Sequence, residues 1–284
     1  MQIHQGLVEL KSALQTIVTI GAFDGVHLAH RKILNLVHDE AEGTGLESAV
    51  ISFWPHPRTV LSQHGEKLEL LSTIDEKLEL IASTGIHHLY IISFTVEFSN
   101  WTAQYFVEEI LIKRLKTNKL ILGYDHHFGN NREGNLAYLL FHKKKFRFKV
   151  EAIEEQIIKD SKVSSTEIRN ALKLGNVEIA NQLLGYAYQF SGKVVKGNQL
   201  GRTIGFPTAN IKIEEDYKLI PANGVYAVHT TLKEKKYKGV MNIGIRPTLD
   251  GLERRIEVNI FDFDQDIYGA VSYTHLTLPT NREV

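Results

Sequence analysis

The stretch that decides the fold is Thr16-Ile17-Val18-Thr19-Ile20-Gly21-Ala22-Phe23-Asp24-Gly25-Val26-His27-Leu28-Ala29-His30. Its apolar, β-branched opening, 16–20, reads as a buried strand. From 27 to about 42 the chain reads as a helix, with Ile33, Leu34, Val37 and Ala41 at helical spacing. Gly21 and Gly25 therefore lie in a strand-to-helix turn, and His27 and His30 share one face of the first helical turn. Backbone N–H groups and the positive end of the helix dipole point the same way. A triphosphate site requires these features.

The alternation continues. Strands are expected at 48–54, 89–94, 119–122 and 146–152, and helices at 75–83, 103–115 and 136–144. This order predicts a mostly parallel sheet with helices on both faces, and ligands beyond the carboxyl ends of the strands. Three motifs gather at those ends: the 21–30 run, Pro55-His56-Pro57, and the loop beginning Gly123-Tyr124-Asp125-His126-His127-Phe128-Gly129. Two short helices are expected over 164–185, stopped by Gly175 and Gly185. Strands at 188–196, 209–213, 224–232, 237–243 and 254–261 then follow without helices, which predicts an antiparallel sheet or small barrel. The domain boundary falls near Gly185.

At 284 residues the chain is long enough for two ordinary domains. Hydrophobic residues make up 43% and charged ones 23%, a globular balance, and no apolar run is long enough to span a membrane. The N-terminus lacks the basic and apolar regions of a secretory leader. There is no cysteine, which excludes disulfides and thiolate metal sites and fits the cytoplasm. Lys plus Arg equals Asp plus Glu at 33 each, so no global charge recruits nucleic acid. An anionic ligand must be held by local geometry.

His27 and His30 admit four roles: metal ligation, acid–base work, phosphate stabilisation, or capping and packing. A metal needs a third ligand that no cysteine supplies, so phosphate stabilisation leads. Ser164, three residues before Glu167, fits a capping box. The hydroxyls at this helix start, with Arg169 as a planar donor fork, suit a phosphate as well as a plain cap. In the second domain, a glycine-rich run from Gly192 leads to Pro207-Thr208-Ala209-Asn210. If extended, Thr208 and Asn210 share a face, and their oxygens are hard donors suited to Mg²⁺. A glycine-rich hairpin with a proline turn is the equal alternative. In 255–260, Ile256, Val258 and Ile260 face one way, and Arg255, Glu257 and Asn259 the other.

GAFDGVHLAH, FWPHP, GYDHHFG and VSSTEIR, in that order, resemble the adenylyltransferase module of bifunctional riboflavin kinase/FMN adenylyltransferases, the prokaryotic FAD synthetases. GRTIGFPTANI, NGVYAV, NIGIRPT and IEVNIFDFDQDIYG resemble the family's riboflavin kinase module. The resemblance implies a Rossmann-like nucleotidyltransferase domain followed by a small antiparallel β-barrel. It implies phosphorylation of riboflavin to FMN and adenylylation of FMN to FAD, with ATP and Mg²⁺. Carried onto this sequence, ATP is contacted in the first module by Gly21, Phe23, Asp24, Gly25, His27, His30, Ser165, Thr166 and Arg169. Pro55, His56, Asp125 and Phe128 lie at the flavin. In the kinase module, Gly201, Thr208 and Asn210 bind ATP, Thr208 and Asn210 hold Mg²⁺, and Glu257 is the general base. Ala29 departs from the family's His-x-Gly-His pattern by one methyl where a phosphate approaches.

The resemblance runs to about Gly269, so the expected domains are 1–185, 186–269 and a tail, 270–284, outside the family pattern. A truncated, open barrel is the expectation, since a lost strand exposes an edge. Two alternatives follow: an adenylyltransferase with a defective kinase barrel, or a non-catalytic flavin- or nucleotide-binding regulator.

Overall fold

The computed structural model describes residues 1–9, 12, 14–62, 68–158, 161–196, 207–232, 235–248, 251–265 and 267–279. The chain divides into two compact units: Met1–Leu68 with Ile74–Ile157, and Glu69–Thr73 with Ile158–Val284.

The first unit is built on six strands: β1 (Gln2–Gln5), β2 (Thr16–Ile20), β3 (Glu47–Trp54), β4 (His88–Ser93), β5 (Thr117–Gly123) and β6 (Lys149–Ile153). They lie in the order β1-β4-β3-β2-β5-β6, and each neighbouring pair is parallel. All five residues of β2 are buried, as expected of a strand covered on both faces. On one face α1 (Leu28–Thr44) packs Ile33, Leu34, Val37 and Ala41 inward, the stripe read from the sequence. On the other, Val18, Ile20, Ile51 and Leu120 meet Phe106, Val107, Ile110 and Leu111. After β2 the chain proceeds through β3 to β4 on one side, then returns to β5 on the other. The carboxyl ends of β2 and β5 thus form a topological switch point, the usual ligand crevice of such sheets.

Helices α2 (Pro57–Leu61), α3 (Ile74–Ala82), α4 (Val96–Ser99) and α5 (Ala103–Phe106) follow in chain order. The helix expected over 103–115 is α-helical only through α5; Val107–Arg114 is a π-helix. The helix expected over 136–144 splits at His142 into α6 (Leu136–Phe141) and α7 (Lys143–Phe146). The His142 ring hydrogen-bonds the Tyr138 carbonyl at 3.0 Å where the helix breaks. Phe146, expected at the start of a strand, ends α7, and Arg147 turns the chain at φ 60°.

A short ribbon follows β6, β7 (Ile157–Ile158) with β8 (Ser161–Lys162), and then come two helices, α8 (Ser165–Lys173) and α9 (Val177–Leu184). The barrel of the second unit comprises β9 (Gln189–Val195), β10 (Ala209–Lys212), β11 (Gly224–Leu232), β12 (Lys235–Thr248), β13 (Gly251–Ile260) and β14 (Val271–Pro279). The barrel is closed, in the order β10-β13-β12-β11-β14-β9 with β9 beside β10, and every pair is antiparallel.

One expectation is corrected here. The tail beyond Gly269 supplies β14, which pairs with β11 and β9 and completes the barrel. Its Thr274 and Leu276 are fully buried. The open edge expected of a truncated barrel is therefore not present between these strands. Within the second unit, α8 and α9 pack with the barrel. Asn181 of α9 accepts from Tyr188 N–H at 2.6 Å and donates to the Leu276 carbonyl at 3.0 Å. Ala222 N–H donates to the Leu172 carbonyl of α8 at 2.9 Å.

Candidate functional site

The 21–26 turn leaves β2 at the switch point and carries three residues with positive φ: Phe23 (50°), Gly25 (74°) and Val26 (34°). For a β-branched residue such as Val26 this is a strained conformation. It is held by burial: Phe23, Asp24, Val26 and His27 are each at most 4% exposed. His27 caps α1, its Nδ1 accepting from the His30 N–H at 3.4 Å. An accepting Nδ1 leaves the proton of a neutral ring on Nε2. The two imidazoles stack, centroids 3.6 Å apart and 16° from coplanar. Burial, then His27, then Lys77 hold the His30 pKa well below the usual 6.5. His30 is thus a neutral hydrogen-bonding group at neutral pH, and its buried Nδ1 has no partner in the structure. Ala29 lies within the first turn of α1, where backbone geometry accepts a Cβ without strain.

Beside this turn lie two residues absent from every motif read in the sequence. Lys77 of α3 and Ser52 of β3 are buried, and both hydrogen-bond the Ala22 carbonyl. Spacing gave no sign of them, since α3 reads as an ordinary amphipathic helix.

Among the residues expected at the flavin, Pro55 is exposed. His56 caps α2, its Nδ1 accepting from Arg58 N–H at 3.1 Å. Asp125 is exposed at the end of β5. Phe128 is different: it belongs to the core, 5.5 Å from the Phe106 ring. A Cβ on Gly134 would lie 2.6 Å from the Phe128 ring, so only glycine fits there. Phe128 thus anchors the loop in the core. The neighbouring His126 was not singled out. Burial lowers its pKa to about 4, so it too is neutral.

In the second unit, Ser164 caps α8, accepting from Glu167 N–H at 3.3 Å. Ser165 is half-buried and Thr166 exposed. Arg169, expected as a phosphate fork, is 7% exposed, with Nε donating to the Glu69 carbonyl at 2.9 Å. Its Nε therefore fastens the 69–73 segment.

The barrel gathers its residues by register. Asn210 on β10 lies directly opposite Glu257 on β13, and Glu257 lies opposite Asn242 on β12. Directly opposed side chains share a face. The three therefore form a row of amide, carboxylate and amide across three strands. Ile256, Val258 and Ile260 are buried on the other face, as their alternation predicts. Asn259, two residues on from Glu257, donates from Nδ2 to the Pro207 carbonyl at 2.8 Å and so fixes the start of the Pro-Thr-Ala-Asn run. A cavity of about 320 Å³ is lined by Pro207, Thr208, Val258, Phe263 and Tyr268 among others. It reaches Thr208, whereas Asn210 and Glu257 are not among its lining residues. Gly201 lies outside the described residues.

His38, Glu42 and His87 in the first unit have metal-ligand spacing. However, Ser48 N–H donates to His87 Nδ1 at 3.2 Å, which keeps the ring proton on Nε2, facing Glu42 at 3.1 Å. That arrangement is a hydrogen-bonded pair rather than a free ligand set.

A stacked histidine pair thus sits at a sheet switch point, and a carboxylate–amide row crosses a barrel, an arrangement that suits a two-site, nucleotide-dependent transferase. The FAD synthetase family model matches residues 10–167, and the riboflavin kinase model matches 184–277. The bifunctional riboflavin kinase/FMN adenylyltransferase of Listeria monocytogenes is 39% identical over 257 residues, covering 90% of this chain and 81% of the relative. That of Haemophilus influenzae is 38% identical over 273 residues, covering 95% and 88%. The crystal structure of a macrolide-efflux protein from Streptococcus pneumoniae is 31% identical, with a TM-score of 0.91 over 100% of this chain and 92% of that one. Among the described residues here, no helix is long and apolar enough to cross a membrane. The chain belongs to the bifunctional riboflavin kinase/FMN adenylyltransferase family and carries both activities. Its substrates are riboflavin, FMN and ATP. The kinase match extends eight residues past Gly269, into β14, which removes the ground for a truncated barrel.

Proposed function

We propose that adenylyl transfer is run by the 21–30 segment and phosphoryl transfer by the Asn210–Glu257 row. The functional modules overlap the structural units: 1–185 for the adenylyltransferase, and 186 through β14 for the kinase. In the first, the FMN phosphate attacks the α-phosphorus of ATP and pyrophosphate leaves. The backbone of Gly21, Phe23, Asp24 and Gly25 receives the nucleotide. His27 and His30 hydrogen-bond the phosphate oxygens on which charge develops. By family position, Ser165, Thr166 and Arg169 hold the β- and γ-phosphates. Pro55, His56 and Asp125 border the flavin nucleotide.

In the barrel, Glu257 removes the proton from the terminal ribityl hydroxyl of riboflavin, and that oxygen takes the γ-phosphoryl group of ATP. A loose phosphoryl transition state asks more of position than of base strength. The Thr208 hydroxyl and Asn210 amide oxygen are hard donors, which fit Mg²⁺. When bound, Mg²⁺ neutralises phosphate charge there. The absence of cysteine and the balanced net charge favour a cytoplasmic enzyme with small-molecule substrates and no nucleic acid.

The stacked, capped histidine pair carries the first assignment. The test separates the two reactions: incubate the protein with ATP and Mg²⁺ plus either riboflavin or FMN, and resolve the flavins by chromatography. Riboflavin gives FMN and then FAD, and FMN gives FAD. Removing Mg²⁺ with chelator stops the phosphorylation; phosphorylation at full rate without divalent cation contradicts the metal assignment.

A further inference from the structure

Lys77 lies on α3, and its Nζ reaches three acceptors: Ser52 Oγ at 3.2 Å, the Phe53 carbonyl at 3.3 Å and the Ala22 carbonyl at 3.4 Å. An ammonium has three protons, and these acceptors use them all. Two of the acceptors belong to the end of β3, and the third belongs to the turn that presents His27. Ser52 Oγ itself donates to the Ala22 carbonyl at 3.3 Å. The side chain is 4% exposed, with the Trp54 ring 5.5 Å from Nζ.

Burying a cation costs desolvation, and an apolar side chain of the same length fills the space without that cost. Burial indeed pushes the Lys77 pKa down to about 8, with Asp24 of the turn pulling the other way. The second unit has a buried lysine for comparison. Lys218 donates to the Leu71 carbonyl at 2.7 Å and covers the Tyr188 ring. Lys77 differs in what it holds. Its acceptor Ala22 lies between Gly21 and Phe23, and its charge acts on His30.

We propose that Lys77 is a positioning residue for adenylyl transfer: its ammonium ties the Ala22 carbonyl to the end of β3 and so fixes the turn from which His27 and His30 act. This rests on the assignment of that turn to adenylyl transfer. The clamp operates within the first unit and leaves the barrel alone. Among the described residues, the titratable groups coupled to it are Asp24 on the turn and His30 on α1.

The experiment uses the full chain with Lys77→Met, Ser52→Ala and, in parallel, His30→Ala. FMN adenylylation is measured for kcat, KM and pH profile, and riboflavin phosphorylation serves as the internal control. Lys77→Met lowers the adenylylation kcat about 10–100-fold, with the KM for ATP changed far less, because a displaced turn misaligns the reacting groups. It also moves the acid limb of the profile to higher pH, since a cation beside His30 is gone. Phosphorylation stays within twofold. Ser52→Ala removes one acceptor and the hydroxyl link, and lowers kcat about 3–10-fold; it decides the matter if Lys77→Met does not fold. Wild-type kcat in either variant overturns the inference, as does a Lys77→Met loss with an unmoved acid limb. If His30→Ala keeps its adenylylation, the site assignment itself fails; if His30→Ala loses it and the other two variants do not, only the role of Lys77 fails.

Discussion

The two units build their candidate sites in opposite ways. In the first, the site is one unbroken run: strand, strained turn and helix start within fifteen residues, with His27 and His30 stacked across one helical turn. In the second, Asn210, Asn242 and Glu257 come from three strands and meet only through antiparallel register. A local site depends on backbone conformation and on neighbours that hold a turn. A register site depends on every strand that closes the barrel, including strands that contribute no chemistry. The first should therefore fail through nearby contacts, and the second through distant packing.

The largest effects should separate the two sites completely. Glu257→Gln is expected to lower riboflavin phosphorylation by about 10²–10⁴-fold, the usual worth of a positioned base, and leave FMN adenylylation unchanged. His30→Ala should do the reverse, lowering adenylylation about 10²–10³-fold, the scale of a lost transition-state donor. Steady-state rates on riboflavin and on FMN check both. If either variant lowers both reactions while folded, the division of labour is wrong.

Distant packing is tested by Leu276→Ala on β14. The side chain is fully buried, and its loss should cost about 2–5 kcal/mol of barrel stability. Denaturant unfolding followed by loss of kinase activity measures it. A barrel whose stability is unaltered has no need of β14.

A smaller effect sharpens the local side. His126 has a pKa of about 4 against an ordinary 6.5, so as pH falls the unfolded chain takes up the proton first. Stability is complete above about 6.5 and drains away as pH falls toward 4, by about 3 kcal/mol at the acid limit. His30 acts in the same direction. His126→Phe should flatten that slope, and thermal melts from pH 7 to 4 will record it. An unchanged slope contradicts the burial of the ring.

The smallest expected effect lies in the barrel. Asn259→Ala removes the donor to the Pro207 carbonyl and should cost about 1 kcal/mol, or roughly fivefold in kinase kcat/KM. Unchanged kinetics leave Asn259 without a part in holding the Pro-Thr-Ala-Asn run.

The same contrast explains what the sequence disclosed. β2, the turn and α1 were legible because period and punctuation agree within a few residues; even the cap by His27 falls where the helix was read to begin. Alternation along 255–260 gave the facing of Glu257, but its pairing with Asn210 needs contacts across about fifty residues that no local pattern carries. β14 was missed although Val271-Ser272-Tyr273-Thr274 is rich in strand formers. Its inward Thr274 is polar by type yet fully buried, so a hydrophobic pattern passes over it. β1 is a polar edge strand, and its pairing with β4 supplies the order that its side chains do not. Composition did not show that the Phe128 ring packs into the core, since an aromatic in a loop carries no local sign of burial. Lys77 was silent for the same reason: a lysine on an amphipathic helix reads as surface, and only the fold turns it toward Ala22.

The most direct measurement mixes the two crippled chains. Glu257→Gln and His30→Ala are each incubated with riboflavin, ATP and Mg²⁺, then combined in one tube, and the flavins are resolved over time. Neither variant alone should make FAD at more than about a hundredth of the wild-type rate: the first is slow to convert riboflavin, and the second accumulates FMN. Together they should make it, as FMN released by the His30→Ala chain is adenylylated by the Glu257→Gln chain. FAD at the wild-type rate from the His30→Ala chain alone, or FMN that accumulates in the mixture without becoming FAD, contradicts two separate sites served by these residues.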